Sequence, residues 1–478
     1  MKKQLLATAL SLLVFFASCS KSDNGDDDGE IVNPVTGVVE VTGDITTATN
    51  WTADKIYLLK GNVFVTNNVT LTIAPGTIIK GDRGTKGTLI ITRGSKINAT
   101  GTAEKPIVFT SNIVAGGRDK GDWGGLILLG KALNNQGTSV TIEGISDATD
   151  KAKHGGTDNA DNSGVLKYVR IEYAGVALGP DNEINGLTFG SVGSGTTVDY
   201  VEVYRSGDDA FEWFGGSVNA KHLLAVATWD DDFDTDNGFS GKIQFGIAQR
   251  LAGVADVSGS NGFESDNNAT GVATTPFTSA VFSNMTILGP VVPAPQPSIN
   301  ASYQHAAQIR RNSQQSIVNS VFVGYTEGVF FDDALPAGGD KASTYFLNGT
   351  SVFANNLIGI TRSNPIKLTN AALLVDITAR LAASANVFTP DLYGAGIYTD
   401  AYKYSADQVT GARIGTPNFT LIANSPAATG AAFGGKTEDA FFERVAYKGA
   451  FGTTDWTAGW ASYDSQTLPY TTPGAVTK

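Results

Sequence analysis

An all-β solenoid, one long stack of short strands, is the fold class this sequence predicts. Three observations carry it. Short β-runs recur at offsets near twenty residues with no helical pattern between them, as strands coiled into a stack require. Glycine supplies 56 of 478 residues, enough for tight turns between many short strands. The chain holds a single cysteine, so no disulfide can form within it and stability must come from burial.

The N-terminal copies are the plainest. Leu71-Thr72-Ile73-Ala74-Pro75-Gly76-Thr77-Ile78-Ile79 aligns with Leu89-Ile90-Ile91-Thr92-Arg93-Gly94-Ser95-Lys96-Ile97 at an offset of 18. Ile107-Val108-Phe109-Thr110 and Leu126-Ile127-Leu128-Leu129 continue the series. Further on, Tyr168–Gly175 aligns with Tyr200–Gly207 at an offset of 32, and Asn284–Gly289 with Asn319–Gly324 at 35. Asn348, ahead of Ser351-Val352-Phe353, reads as the next of these asparagines, whose role is structural: stacked amides that exchange hydrogen bonds inside a turn. One segment leaves the β pattern. Leu373, Leu374, Ile377 and Leu381 recur at helical spacing between Thr369 and Ala385, with Thr369 or Asn370 as N-cap, and predict one amphipathic helix near the C-terminal end. The solenoid is expected over residues 35–430. The aromatic-rich residues 431–478 are expected to close its open end, since bare strand edges invite aggregation. Trp456 and Trp460 suit that cover better than a sugar-stacking surface.

These motifs resemble the right-handed parallel β-helix proteins with the pectin-lyase-like fold. The segments Leu71–Gly81 and Ile97–Ser111 read like their N-terminal coils, and Asn418-Phe419-Thr420-Leu421 with Ser425-Pro426-Ala427 like a last coil. The resemblance implies the architecture and supplies no single activity, because this scaffold carries lyases, hydrolases, adhesins and binding proteins.

The N-terminus predicts export. Lys2 and Lys3 precede an apolar run from Leu5 to Phe16 and then Ala17-Ser18-Cys19, the layout of a secretory signal over residues 1–18. The run is far short of the roughly 20 residues a membrane-spanning helix needs. Cys19 after the small pair resembles the lipobox of bacterial lipoproteins, which implies a lipid on that cysteine and a membrane partner. Residues 19–34, with Asp23, Asp26, Asp27, Asp28 and Glu30 against one Lys21, form a self-repelling acidic tether. An acidic tract there resembles surface lipoproteins of the Bacteroidota, and implies an outer-membrane protein facing outward. The 46 acidic against 34 basic side chains exclude a nucleic-acid partner.

The chemical signal lies between Asp208 and Asp266. Phe211-Glu212, Phe233-Asp234 and Phe263-Glu264 repeat an aromatic–acid pair, and Phe331-Asp332-Asp333 reads as a fourth copy. Asp208-Asp209 and Asp230-Asp231-Asp232 precede the first two, while Asp236 and Asp266 follow the second and third. Adjacent coils lie about 4.8 Å apart, so the phenylalanines would stack inward and the acids outward. Unit charges about 5 Å apart repel by roughly 3 kcal/mol at an effective dielectric near 20. No Lys or Arg lies between Lys221 and Lys242 to interleave them. A bound cation or raised pKa values could relieve the repulsion, and a solvated face screened by salt is the plain alternative. The first expectation is a hard cation with oxygen ligands, Ca²⁺, on Asp208, Asp209, Glu212, Asp230, Asp231, Asp232, Asp234, Asp236, Glu264 and Asp266.

The function expected is non-enzymatic binding of a glycan or other surface partner along this flank. The alternative is cleavage of acidic polysaccharide. Gly207-Asp208-Asp209-Ala210 resembles the paired aspartates of β-helix polygalacturonases, with Asp208, Asp209, Asp231 or Asp232 as acid and base. A lyase would take Arg310 or Arg311 as base, although salt bridges to neighbouring turns are the role expected first for both. Against both, no Gly-His-Gly or Arg-Ile-Lys accompanies the aspartates, and the histidines number three: His154, His222 and His305. A structural surface component is the remaining reading.

Overall fold

The computed structural model describes residues 37–146, 149–179, 182–293, 297–335, 341–359, 365–389, 396–403 and 415–476. Cys19, the signal and the acidic tether lie outside them. No helix among the described residues is long and apolar enough to cross a membrane. Among the described residues, twenty-seven strands join one sheet whose pairings are parallel throughout, coiled into a right-handed β-helix.

Each coil turns through three faces. In one coil Thr197–Tyr204 supplies the first two and Phe211–Gly216 the third. The bend between the first two faces is a single residue held at positive φ. It is Tyr168, Tyr200, His222 and Phe245 in successive coils, then Asn284, Asn319 and Asn355. Asparagine tolerates the left-handed region better than most side chains. The aromatic residues there stack on one another instead: Tyr168 on Tyr200 at 4.4 Å and Tyr200 on His222 at 4.2 Å between ring centroids. The third asparagine is thus Asn355, and the expected member, Asn348, ends a helix, Ala342–Asn348, that the β pattern had concealed. The predicted helix forms as Leu374–Ala383, behind a short 3₁₀ turn capped by Asn370. It buries Ile377 and Leu381 and leaves Leu374 exposed.

Inward side chains make one continuous core. Phe211, Phe233 and Phe263 are in register and fully buried, with ring centroids 5.7 and 5.3 Å apart along the stack. Phe331 does not extend that column. It pairs with Ile309, which pairs with Ser265, so the fourth aromatic–acid copy enters two residues out of register. The outward faces are partly apolar as well, and two are covered. Ile142, Ile145 and Ile184 cover Ile90, Ile127 and Phe214.

Residues 431–476 cover the second face lengthwise, which corrects the expectation of an end plug. Asn319 Nδ2 donates to the Ala432 carbonyl, Lys242 pairs with Asp439, and Asn284 Nδ2 donates to the Tyr447 carbonyl. Ser462 N–H donates to Glu202, and Arg118 donates to the Ser465 carbonyl. The segment therefore runs back across successive coils as a strap. Its driving force is the row of apolar side chains on that face, Leu224, Val226, Ile247, Leu288 and Val323, buried against Phe451 and Tyr463. Trp460 is 1% exposed and meets Tyr168 and Tyr200 edge-on, so it is cover and offers no ring to a ligand. His222 is held in the same stack, 2.8 Å from Asp199.

Phe233→Ala removes the middle ring of the phenylalanine column and leaves a cavity between two rings fixed by register. The expected loss is about 3–5 kcal/mol of unfolding free energy, read from the denaturant midpoint at unchanged m-value.

Candidate functional site

The turn between the second and third faces, together with the first residues of the third, carries the acids. Register places Glu212, Asp234 and Glu264 in one outward column, with Thr188 before and Gln308 after them. Two positions before each phenylalanine runs a second column: Asn185, Asp209, Asp231 and Asn261. It is built by one repeated bond. Asp231 N–H donates to Asp209 Oδ1 at 2.7 Å, Asn261 N–H donates to Asp231 Oδ1, and His305 N–H donates to Asn261 Oδ1 at 3.0 Å. Asp209, Asp231 and Asn261 thus each receive the N–H of the next coil, and Asn185, at the start of the column, does not.

These columns bound a cavity of about 210 Å³. Asp208, Asp209, Glu212, Asp230, Asp231, Asp234 and Glu264 line it, with Glu143, Glu183, Ser258, Gly259 and Arg310 completing the wall. Seven of the ten expected ligands therefore converge. Carboxylate oxygens of Asp208, Asp209 and Asp230 lie within 4.8 Å of one another, as do those of Asp209, Glu212 and Asp234. The donors are all oxygen, which suits a hard divalent cation. Further unpartnered acceptors adjoin them. Asn185 is 1% exposed; its amide donates to Glu212 while its Oδ1 has no hydrogen-bond partner, and the buried Oδ1 atoms of Asp230 and Asp234 have none either.

Three expected ligands take other roles. Asp232 turns away and makes a fully buried pair with Arg250, 2.7 Å apart. Asp266 binds Arg310 at 2.8 Å and Arg311 at 2.6 Å. Asp236 accepts from the Asn237 N–H. The expectation that basic residues are scarce among the acids is corrected here. Arg250, Arg310 and Arg311 are distant in sequence but belong to the next coils, and Arg310 also pairs with Glu264. The compensation stops there. Among the described residues, ion pairs reach Asp232, Glu264 and Asp266, and none reaches Asp208, Asp209, Glu212, Asp230, Asp231 or Asp234.

The acids hold their protons accordingly. Burial, then the neighbouring carboxylates, push Asp208, Asp209, Glu212, Asp231 and Asp234 well above the usual carboxylate range. Burial raises Asp230 to about 6 and Asp236 to about 7. It raises Glu264 to about 8 against the pull of Arg310. Burial and Lys367 push His305 down to about 3, and burial does the same to His154.

Sequence reading missed Glu143 and Ser258, which arrive from loops, and Glu183, from a short antiparallel strand pair, with no repeat to flag them. It missed the structural column too, although that signal was present: Asn185-Gly186-Leu187 and Asn261-Gly262-Phe263 flank Asp209-Ala210-Phe211 and Asp231-Asp232-Phe233 at equivalent positions.

A pH dependence follows. These carboxyls bind protons more tightly in the folded chain than in the unfolded one, whose values lie near 4. Their stabilising protonation is complete below those unfolded values and is lost as pH rises through about 6 to 8. In chelator, the melting temperature is expected to be higher at pH 5 than at pH 8. A rise with pH would contradict the burial of these groups.

The family comparison agrees with the geometry. The description of a pectate-lyase-like beta helix domain matches residues 43–406. Searches of curated proteins and of solved structures return no match. With most of the chain covered, and the parallel coils and three-faced register in place, the chain belongs to the pectate-lyase-like beta helix family.

Proposed function

We propose that this protein is a cation-dependent binding module, without catalysis of its own, that takes Ca²⁺ in the acidic cavity and holds a glycan or other surface partner beside it. One observation carries the reading. In the column Asp209–Asp231–Asn261, the structural task is to accept the next coil's N–H, and Asn261 performs it with an amide. Asp209 and Asp231 perform the same task with carboxyls, whose capacity to ionise the bond does not need. Carboxyls stand only where the column lines the cavity, and a bound divalent cation would offset the cost of ionising them.

A second cavity supports a ligand next to the cation. About 570 Å³ in volume, it shares Glu143 with the acidic cavity. Thr85, Asn62 and Asn182 line it together with Ile142, Ile145 and Ile184, a mixture of polar and apolar groups suited to a sugar ring.

The cleavage reading has less support. Asp232 is bound to Arg250 away from the cavity, and Asp209 and Asp231 each commit an oxygen to backbone. Burial alone would loosen the Arg310 proton, but Glu264 and Asp266 more than reverse this, so Arg310 makes a poor base. New absorbance or reducing ends from a panel of uronate polymers would reinstate an enzyme. We further place the protein at the outer membrane, facing outward on a lipid at Cys19; labelled fatty acid should be incorporated by the chain and lost in Cys19→Ala.

The double variant Asp209→Asn, Asp231→Asn tests the cation directly. It should fold and, in chelator at pH 8, melt at or above the unmodified temperature, because both side chains still accept their N–H bonds. Calcium should raise the melting temperature of the unmodified chain and leave the variant unmoved. Equal responses would sink the proposal.

A further inference from the structure

Beyond the cavity's rim, the turn Asp256–Gly259 joins it to an aromatic side chain outside. Ser258 lines the cavity. Its Oγ lies 2.8 Å from Asp230 Oδ2 and 2.6 Å from Asp256 Oδ2. A serine hydroxyl has one proton, so it can donate to one of these carboxylates at a time. The Ser258 N–H already donates to Asp256 Oδ2 at 2.8 Å, which fixes the turn whichever way the hydroxyl points. The other oxygen of Asp256 accepts from Trp229 Nε1 at 3.0 Å, and Lys120 Nζ lies 3.5 Å from the centre of the Trp229 ring. Asp230, meanwhile, keeps a buried Oδ1 with no hydrogen-bond partner.

We propose that the Ser258 hydroxyl is a two-position donor that couples the cavity to Trp229 through Asp256. This rests on the cation reading of the cavity. With the cavity empty, Ser258 donates to Asp230. With a cation on Asp230, the hydroxyl turns to Asp256 and presents its lone pairs to the cation as one more oxygen ligand. Asp256 then shares its charge between Ser258 and Trp229, and the indole environment changes. Ser258 is thus a ligand whose turning reports the cation, and a cation held in part by that hydroxyl binds more weakly when it is removed.

The test uses the purified full chain titrated with Ca²⁺, by calorimetry and by tryptophan emission in parallel. The unmodified chain should give heat and an emission change. Trp229→Phe should keep the heat and lose the change. Ser258→Ala should melt as the unmodified chain does in chelator, bind Ca²⁺ about fivefold more weakly and lose the emission change. Ser258→Thr, which keeps the hydroxyl, should restore both. Heat in every variant, with Ser258→Ala unchanged in affinity and emission, would overturn the coupling and leave the cation site standing. Absence of heat from the unmodified chain would overturn the cation reading, and the coupling with it.

Discussion

Parallel register is the constraint on which the rest of this molecule depends. Each coil hydrogen-bonds to the next with equivalent residues about 4.8 Å apart, so whatever one coil places at a position, its neighbours face directly. An apolar residue at an inward position becomes a rung of the phenylalanine column. A left-handed residue at the first bend becomes a stack of tyrosines or asparagines. An acid in the turn ahead of the third face becomes a charged column. The scaffold has no means of separating like charges other than changing the residue, ending the column or supplying a counter-charge.

All three remedies are in use along one flank. The Asn185–Asn261 column changes residue, with amides at its ends. The Glu212–Asp234–Glu264 column ends in Gln308, above which Phe330 stands in register. The column of Asp236 and Asp266 is closed by Arg310, with Asp332 paired to it on the far side. Only the lower part of the cavity, from Asp208 to Asp234, keeps its carboxylates without an ion pair among the described residues. The strap answers the same constraint in apolar terms. A face with Leu224, Ile247, Leu288 and Val323 in successive coils is one long hydrophobic stripe, and it needs an equally long cover.

The fold was legible because register writes itself into sequence as repeated spacing. Phe211, Phe233 and Phe263 sit where the repeat puts them, and their acids follow. Reading failed where spacing and register part. Phe331-Asp332 carries the right letters, but the strand His305–Arg310 enters between, and the copy lands two positions along. Asn348 carries the right letter inside a helix. Salt bridges from Arg310 and Arg311 to a neighbouring turn were legible, but the count of bases near the acids was not: Arg250 and Arg310 lie 18 and 46 residues from the acids they bind, near in space only because whole coils intervene. Strap and loop contacts such as Lys242–Asp439 or Ser258–Asp230 have no periodic signature and could not be read from one chain.

Asp230, Asp231 and Asp232 show how far three neighbouring residues of one type can differ. Asp232 meets Arg250 in the interior, where each charge would be prohibitive alone and the pair is tolerable. Asp231 receives a backbone N–H and shows its second oxygen to the cavity. Asp230 stands at the rim under Ser258. A chain that needed only a soluble acidic face would have exposed all three, and one that needed only a stable turn would have used asparagine, as it does at Asn261. Carboxyls are buried together here, short of the counter-charge that the same chain supplies to Asp232 one residue away, and the proposed cation would supply what Arg250 supplies there. The arrangement is stable as a fold because the columns are hydrogen-bonded and the carboxyls hold their protons, and it is on ionisation at higher pH that a counter-charge is needed.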